Sequence, residues 1–200
     1  MTLKTLHADK LPLWFRRFNR LLLWVFTASA VTHADASPPE IPSAYQQVAF
    51  NYQIPADILY GIALNESGLL LKSGRKKKIR PWPWTLNVAG MPRRYPTRKA
   101  AYRAIQFYLR HGITLIDIGL MQVNWHHHKK KLIDPWTALD PLFNLRVGAT
   151  ILKHEYTQVK NWPQAIGRYH SPGKKPQQKK RARRYASRVM KHVRKLRRKT

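Results

Sequence analysis

The sequence contains no cysteine among its 200 residues, and only nine Asp and Glu stand against 38 Lys and Arg. Without cysteine the chain can form no disulfide, no cysteine-ligated zinc site and no thiol nucleophile. It has no internal repeat, and its longest apolar run, LLLWVFTASAV, is too short to span a bilayer. In so basic a chain, a carboxylate within an apolar stretch is conspicuous.

The excess of positive charge is the main feature of what is present. The formal net charge is +29, and residues 171–200 alone hold 14 basic residues and no acid. Such a charge implies an anionic partner, which could be nucleic acid, a phospholipid surface or an anionic cell-envelope polymer. Apolar residues make up 44% of the chain, with seven Trp and nine Tyr, so we expect a folded domain.

Residues 1–36 have the pattern of a Sec-type signal peptide. Arg16, Arg17 and Arg20 precede the short apolar run, and small residues follow it. The alternative is an uncleaved membrane anchor. Export predicts a periplasmic protein, and it favours an envelope polymer or an anionic envelope surface over nucleic acid as the partner. The mature domain would then comprise residues 37–200.

Helical periodicity dominates this mature segment and predicts a mostly α, α+β fold in a single domain, with a small β insertion at about 72–116. Thr85–Val88 is the predicted strand. KSGRKKKIR (72–80), NWHHHKKK (124–131) and SPGKKPQQKK (171–180) are predicted loops, and residues 181–199 a basic amphipathic helix. Adjacent histidines cannot all face one ion, so we predict no metal site, and nothing indicates a cofactor.

Glu66 closes an apolar helical run in ALNESG (63–68). Desolvation and the negative end of the helix dipole would both raise the pKa of a carboxyl at this position. A carboxylic acid kept protonated near neutral pH can act as a general acid. The alternative is a carboxylate at the rim of the fold that pairs with one of the neighbouring lysines.

A second motif, GLMQVN (119–124), combines a glycine turn with two amides and a methionine, which suit an N-acetylated sugar. With ALNESG, NLRVGATIL (144–152) and AIGRYHSPG (165–173), it resembles the soluble-type (SLT) lytic transglycosylase family. The motifs occur in the family's order and cover residues 43–195. The resemblance implies a lysozyme-like domain acting on peptidoglycan glycan strands, without a cofactor, and we expect a monomer. It also favours a packed closing helix at RRYASRV (183–189).

The resemblance also implies residue roles. Glu66 would be the single acid and base, which protonates the leaving oxygen and then deprotonates the C6 hydroxyl of the same MurNAc to close a 1,6-anhydro ring. Ser67 and Gln122 would hydrogen-bond substrate, Met121 would line the sugar cleft with Asn124 beside it, and Tyr169 would orient the Glu66 carboxyl. A further set would serve close helix packing: Asn144, Leu145 and Gly148.

Two departures from the family pattern are visible. His170 stands where the family usually has Asn, and the spacing from Ser67 to Gly119 is unusually long. This insertion resembles that of a subgroup linked to conjugation or secretion machinery. Three alternatives stay open: a hydrolytic muramidase in which Asp117 supplies a second carboxylate, a non-catalytic cationic envelope-binding protein, and nucleic-acid binding through residues 174–200.

Overall fold

The structure is a computed structural model that describes residues 41–73 and 76–198. The predicted signal peptide, residues 1–36, lies outside the described residues. Within them, helices and two small antiparallel sheets alternate along the chain. This arrangement confirms the predicted mostly α, lysozyme-like α+β fold.

Eight helices occur in the described part of the chain: α1 (Ser43–Asn51), α2 (Ala56–Ser67), α3 (Arg98–Arg110), α4 (Trp125–Leu132), α5 (Pro135–Ala138), α6 (Pro141–Val159), α7 (Trp162–His170) and α8 (Pro176–Arg197). Side chains cap several of them as their sequences predict. The Thr97 hydroxyl accepts a hydrogen bond from the Ala100 amide at the start of α3, and the Asp140 carboxylate accepts one from the Phe143 amide in α6.

The core is built around α2, which packs against α1 and α8, while α7 packs against both α6 and α8. The side chains of Leu59, Ile62 and Ala63 in α2 are fully buried. One face of α8 meets them with Tyr185, Val189 and Val193. The basic closing helix therefore completes the core, which confirms its packed interpretation, and its charged side chains lie on the faces that remain in solvent.

Six strands form the two sheets: β1 (Gly68–Ser73), β2 (Lys76–Pro81), β3 (Thr85–Val88), β4 (Met91–Arg94), β5 (Ile116–Ile118) and β6 (Val123–Asn124). β1 and β2 form a separate antiparallel hairpin, and the other sheet has the order β4-β3-β5-β6. Its register places Asn87 opposite Asp117, and Asp117 opposite Asn124. Asp117 therefore lies between two amides from neighbouring strands.

Three predicted loops were wrong or too long. KSGRKKKIR contributes to the β1–β2 hairpin. Its second half pairs as β2 with the apolar LLL segment of β1, and lysine is tolerated in strands at an exposed sheet edge. NWHHHKKK forms α4, begun by the Asn124 side chain, which accepts a hydrogen bond from the His127 amide. The closing helix begins at Pro176 rather than at 181, since proline is favoured in a first helical turn.

None of the helices within the described ranges is long and apolar enough to cross a membrane.

Candidate active site

Glu66 is the penultimate residue of α2, and its carboxyl lies partly buried at the edge of a large cavity. The hydroxyl of Tyr185, from α8, donates a hydrogen bond to Glu66 Oε1. The two residues are far apart in the sequence, but α2 and α8 pack side by side and bring them together. The acid is thus held by a contact within the core of the fold.

The surroundings of Glu66 raise its pKa from 4.5 to about 7. Burial is the largest cause, because desolvation disfavours the charged form, and the nearby Asp117 carboxylate adds to it. The hydrogen bond from Tyr185 and the positive charge of Arg188 act in the opposite direction and lower the pKa. The net result is a carboxyl that is substantially protonated near neutral pH, as general-acid chemistry requires.

The glycine turn between β5 and β6 is fixed by Asn144 of α6. The fully buried Asn144 side chain donates to the carbonyls of Ile118 and Ala138 and accepts from the Met121 amide at 2.9 Å. Gly119 has φ +82°, and a Cβ there would lie 2.6 Å from the Asn144 side chain. Asn144 therefore holds the turn through hydrogen bonds, whereas the role expected of it was close helix packing.

Two of the predicted substrate-binding residues are buried in the structure. The Ser67 hydroxyl donates to the carbonyl of Leu120 at 2.8 Å, and its side chain has no exposed surface. Met121 is equally buried and packs on Gly148, where a Cβ would approach the Met121 side chain to 2.6 Å. Both residues join the turn to the helices behind it, and neither presents a surface to a ligand in the cavity.

Gln122 and Asn124 do line the cavity. Gln122 Nε2 donates to the carbonyls of Gly119 and Thr85. Asn124 Nδ2 donates to Asp117 Oδ1 at 2.7 Å, and Asn87 Nδ2 donates to Asp117 Oδ2 at 3.0 Å. The pKa of Asp117 is raised, because the effect of burial exceeds the opposite effect of these two amides and of the nearby His170 and His127. Asp117 is thus a second carboxyl in the cavity, with both oxygens already hydrogen-bonded.

Tyr169 and Tyr185 occupy complementary places around Glu66. The Tyr169 hydroxyl donates to the Met121 carbonyl at 2.7 Å, and this hydrogen bond helps to hold the turn. Burial and the negative charge of Glu66 raise the pKa of Tyr169 well above its usual value. The hydrogen bond to the carboxyl comes from Tyr185, on which the His170 ring stacks with centroids 4.5 Å apart.

The cavity joining these groups encloses about 920 Å³. Its walls come from the end of α2, the strands β3 to β6, the helices α4, α6 and α7, and the start of α8. Hydrogen-bonding side chains dominate around Glu66, among them Asn87, Gln122 and Asn124. A cavity lined by several amide side chains, with one substantially protonated carboxyl at its wall, can bind a hydroxyl-rich ligand and protonate an oxygen within it. No group of His, Asp and Glu in the described ranges is arranged to hold a metal ion.

Sequence reasoning missed two members of this site. Tyr185 lies in the predicted closing helix with no role assigned to it. The available signal is that a buried tyrosine needs a partner for its hydroxyl. Asn87 was assigned only to a short strand. Its proximity to Asp117 follows from the pairing of β3 with β5, which no local pattern reveals.

The chain matches the family model described as Transglycosylase SLT domain over residues 43–192. Comparisons with curated proteins and with solved structures gave no match. The matched range spans all of the residues placed above around the cavity.

Proposed function

The chain belongs to the transglycosylase SLT family, whose members are lytic transglycosylases acting on peptidoglycan, and from that premise we propose that it cleaves the MurNAc–GlcNAc bond without water. The products would carry 1,6-anhydroMurNAc ends. The observation that carries the proposal is the Glu66 carboxyl at the cavity wall, with its pKa raised to about 7 and its orientation fixed by Tyr185.

In the proposed reaction, protonated Glu66 donates its proton to the glycosidic oxygen, and the bond from that oxygen to C1 of MurNAc breaks. The C6 hydroxyl of the same MurNAc then forms a new bond to C1. The resulting Glu66 carboxylate accepts the hydroxyl proton, which restores the acid. A pKa near the working pH suits a group that must give and then take a proton in one cycle.

Asp117 acts in this proposal through its charge. Its two oxygens accept hydrogen bonds from Asn87 and Asn124, and its negative charge raises the pKa of Glu66. Its presence in the same cavity also favours one alternative, a hydrolytic muramidase that uses a second carboxylate. The two reactions differ in the acceptor, which is the C6 hydroxyl in one and water in the other.

Mass spectrometry of the products from purified sacculi tests the proposal. Anhydro ends, lighter than reducing ends by one water, are the expected result. Glu66→Gln should abolish cleavage while leaving binding to sacculi intact, since the amide keeps the shape and loses the proton. Reducing ends would establish the muramidase instead. Undiminished cleavage by the Gln variant would refute the role of Glu66, and a wild-type chain that only binds would be an envelope-binding protein.

We further propose that the protein is exported by residues 1–36 and works in the periplasm as a monomer. Support comes from the basic and apolar segments of that sequence and from the location of peptidoglycan. By analogy with the subgroup that shares the long insertion, its task would be local opening of the wall for a conjugation or secretion complex. N-terminal sequencing of the exported protein tests the cleavage of residues 1–36. Pull-down from cells that assemble a conjugation or secretion complex tests the proposed task.

A further inference from the structure

A second cavity of about 730 Å³ lies between the end of α6, α7 and α8. Its rim is made of basic side chains: Arg168, Lys174, Lys179, Arg183 and Arg194. Its floor is made of apolar side chains, two of them small: Val159, Ala182, Ala186 and Met190. We call it the cationic groove.

The charge of this groove is unbalanced. Its lining includes no Asp or Glu. Arg168 forms an ion pair with Glu155 at 2.6 Å, whereas Lys179, Arg183 and Arg194 are exposed and have no ion-pair partner within residues 41–73 and 76–198. Cations that surround an apolar floor favour a ligand with both carboxylates and small apolar groups, because one part meets the rim and the other covers the floor.

The groove adjoins the candidate active site. Arg168 and Gly173 line both cavities. On α8, Tyr185 contacts Glu66 while the next residue, Ala186, lines the groove, so neighbouring faces of one helix border the two sites. A chain bound along the sugar cavity could therefore extend a branch of a few residues, at about 3.3 Å per residue, into the groove.

We propose that the cationic groove binds the acidic stem peptide that peptidoglycan carries on MurNAc. This peptide has free carboxylates and small apolar side chains, and it branches from the same strand that the active site binds. The inference rests on the proposed function, since it requires that a glycan strand occupies the neighbouring cavity. It assigns the groove to the part of the substrate that the reaction does not change.

The test compares cleavage of peptide-bearing strands with cleavage of strands stripped of peptide by an amidase. One triple variant removes charge from the groove: Lys179→Gln, Arg183→Gln and Arg194→Gln. A matched control removes the same charge from another exposed face of α8, outside both cavities: Lys180→Gln, Lys191→Gln and Lys195→Gln. Ser187→Trp, at an exposed position of the lining, obstructs the groove without loss of charge.

The wild-type protein should show a lower KM for peptide-bearing strands. The groove variant should raise that KM about tenfold, since three exposed charge contacts are each weak, with kcat and the cleavage of stripped strands unchanged. Ser187→Trp should behave alike, and the control should change little. Equal losses in both charge variants would reveal unspecific attraction and overturn the proposal, as would a wild type without preference. If the wild type cleaves neither strand, the proposed function fails, and the inference fails with it.

Discussion

Replacing the Glu66 carboxyl by an amide should stabilise the fold at neutral and alkaline pH. The folded state holds the Glu66 proton more tightly than the unfolded chain, with a pKa of about 7 against 4.5. Between these values the folded protein binds more protons, so its stability falls as the pH rises. The difference between these two pKa values corresponds to at most ~3.5 kcal/mol, because one pKa unit is about 1.4 kcal/mol. The amide of Glu66→Gln does not titrate, so this variant does not lose that stability as the pH rises.

The measurement is urea unfolding of both proteins from pH 4 to pH 9. The two stabilities should run in parallel below about 4.5, separate as the pH rises to about 7, and stay separated by a constant amount above it. Glu155→Gln is the matched control. It breaks the ion pair with Arg168 and should lower stability, the opposite sign. A pH-independent difference between wild type and Glu66→Gln would refute the desolvation of this carboxyl.

Activity should also decline as the pH rises through about 7, and Tyr185→Phe should move this decline to higher pH, because the lost hydrogen bond had lowered the Glu66 pKa; Tyr169→Phe is the control, and an identical shift would contradict the assignment. Asn144→Ala removes three buried hydrogen bonds and should cost about 3 kcal/mol or more in urea unfolding. Gly148→Ala brings a methyl group against Met121 and should cost about 1–3 kcal/mol, and a neutral result would show that the turn can move.

Several helices have their start and stop signals within a few residues of the sequence. Thr97 caps α3 and Gly112 follows its end, and Pro163 lies in the first turn of α7. The β1–β2 hairpin and α4 were missed because they lack such local signals. Runs of lysine and histidine have no apolar alternation to reveal them, and their conformation depends on a partner strand or on one capping side chain, Asn124.

The same division holds for the site. Glu66 could be selected from the sequence, since an acid at the end of an apolar helix is conspicuous in a chain with so few acids. The direction of its pKa shift also followed from that position. Its partner could not be selected, because Tyr185 approaches only through the packing of α8 on α2.

The sequence by itself thus determined the helical class, the family motifs and the acid, all of which depend on residue types at short spacing. Tertiary structure alone decided which motif residues face the cavity. Ser67 of the ALNESG motif and Met121 of the GLMQVN motif are buried as supports, whereas Gln122 and Asn124 reach the cavity beside Asn87. The physical reason is that burial and strand register arise from contacts between distant segments, which no single stretch of the sequence contains.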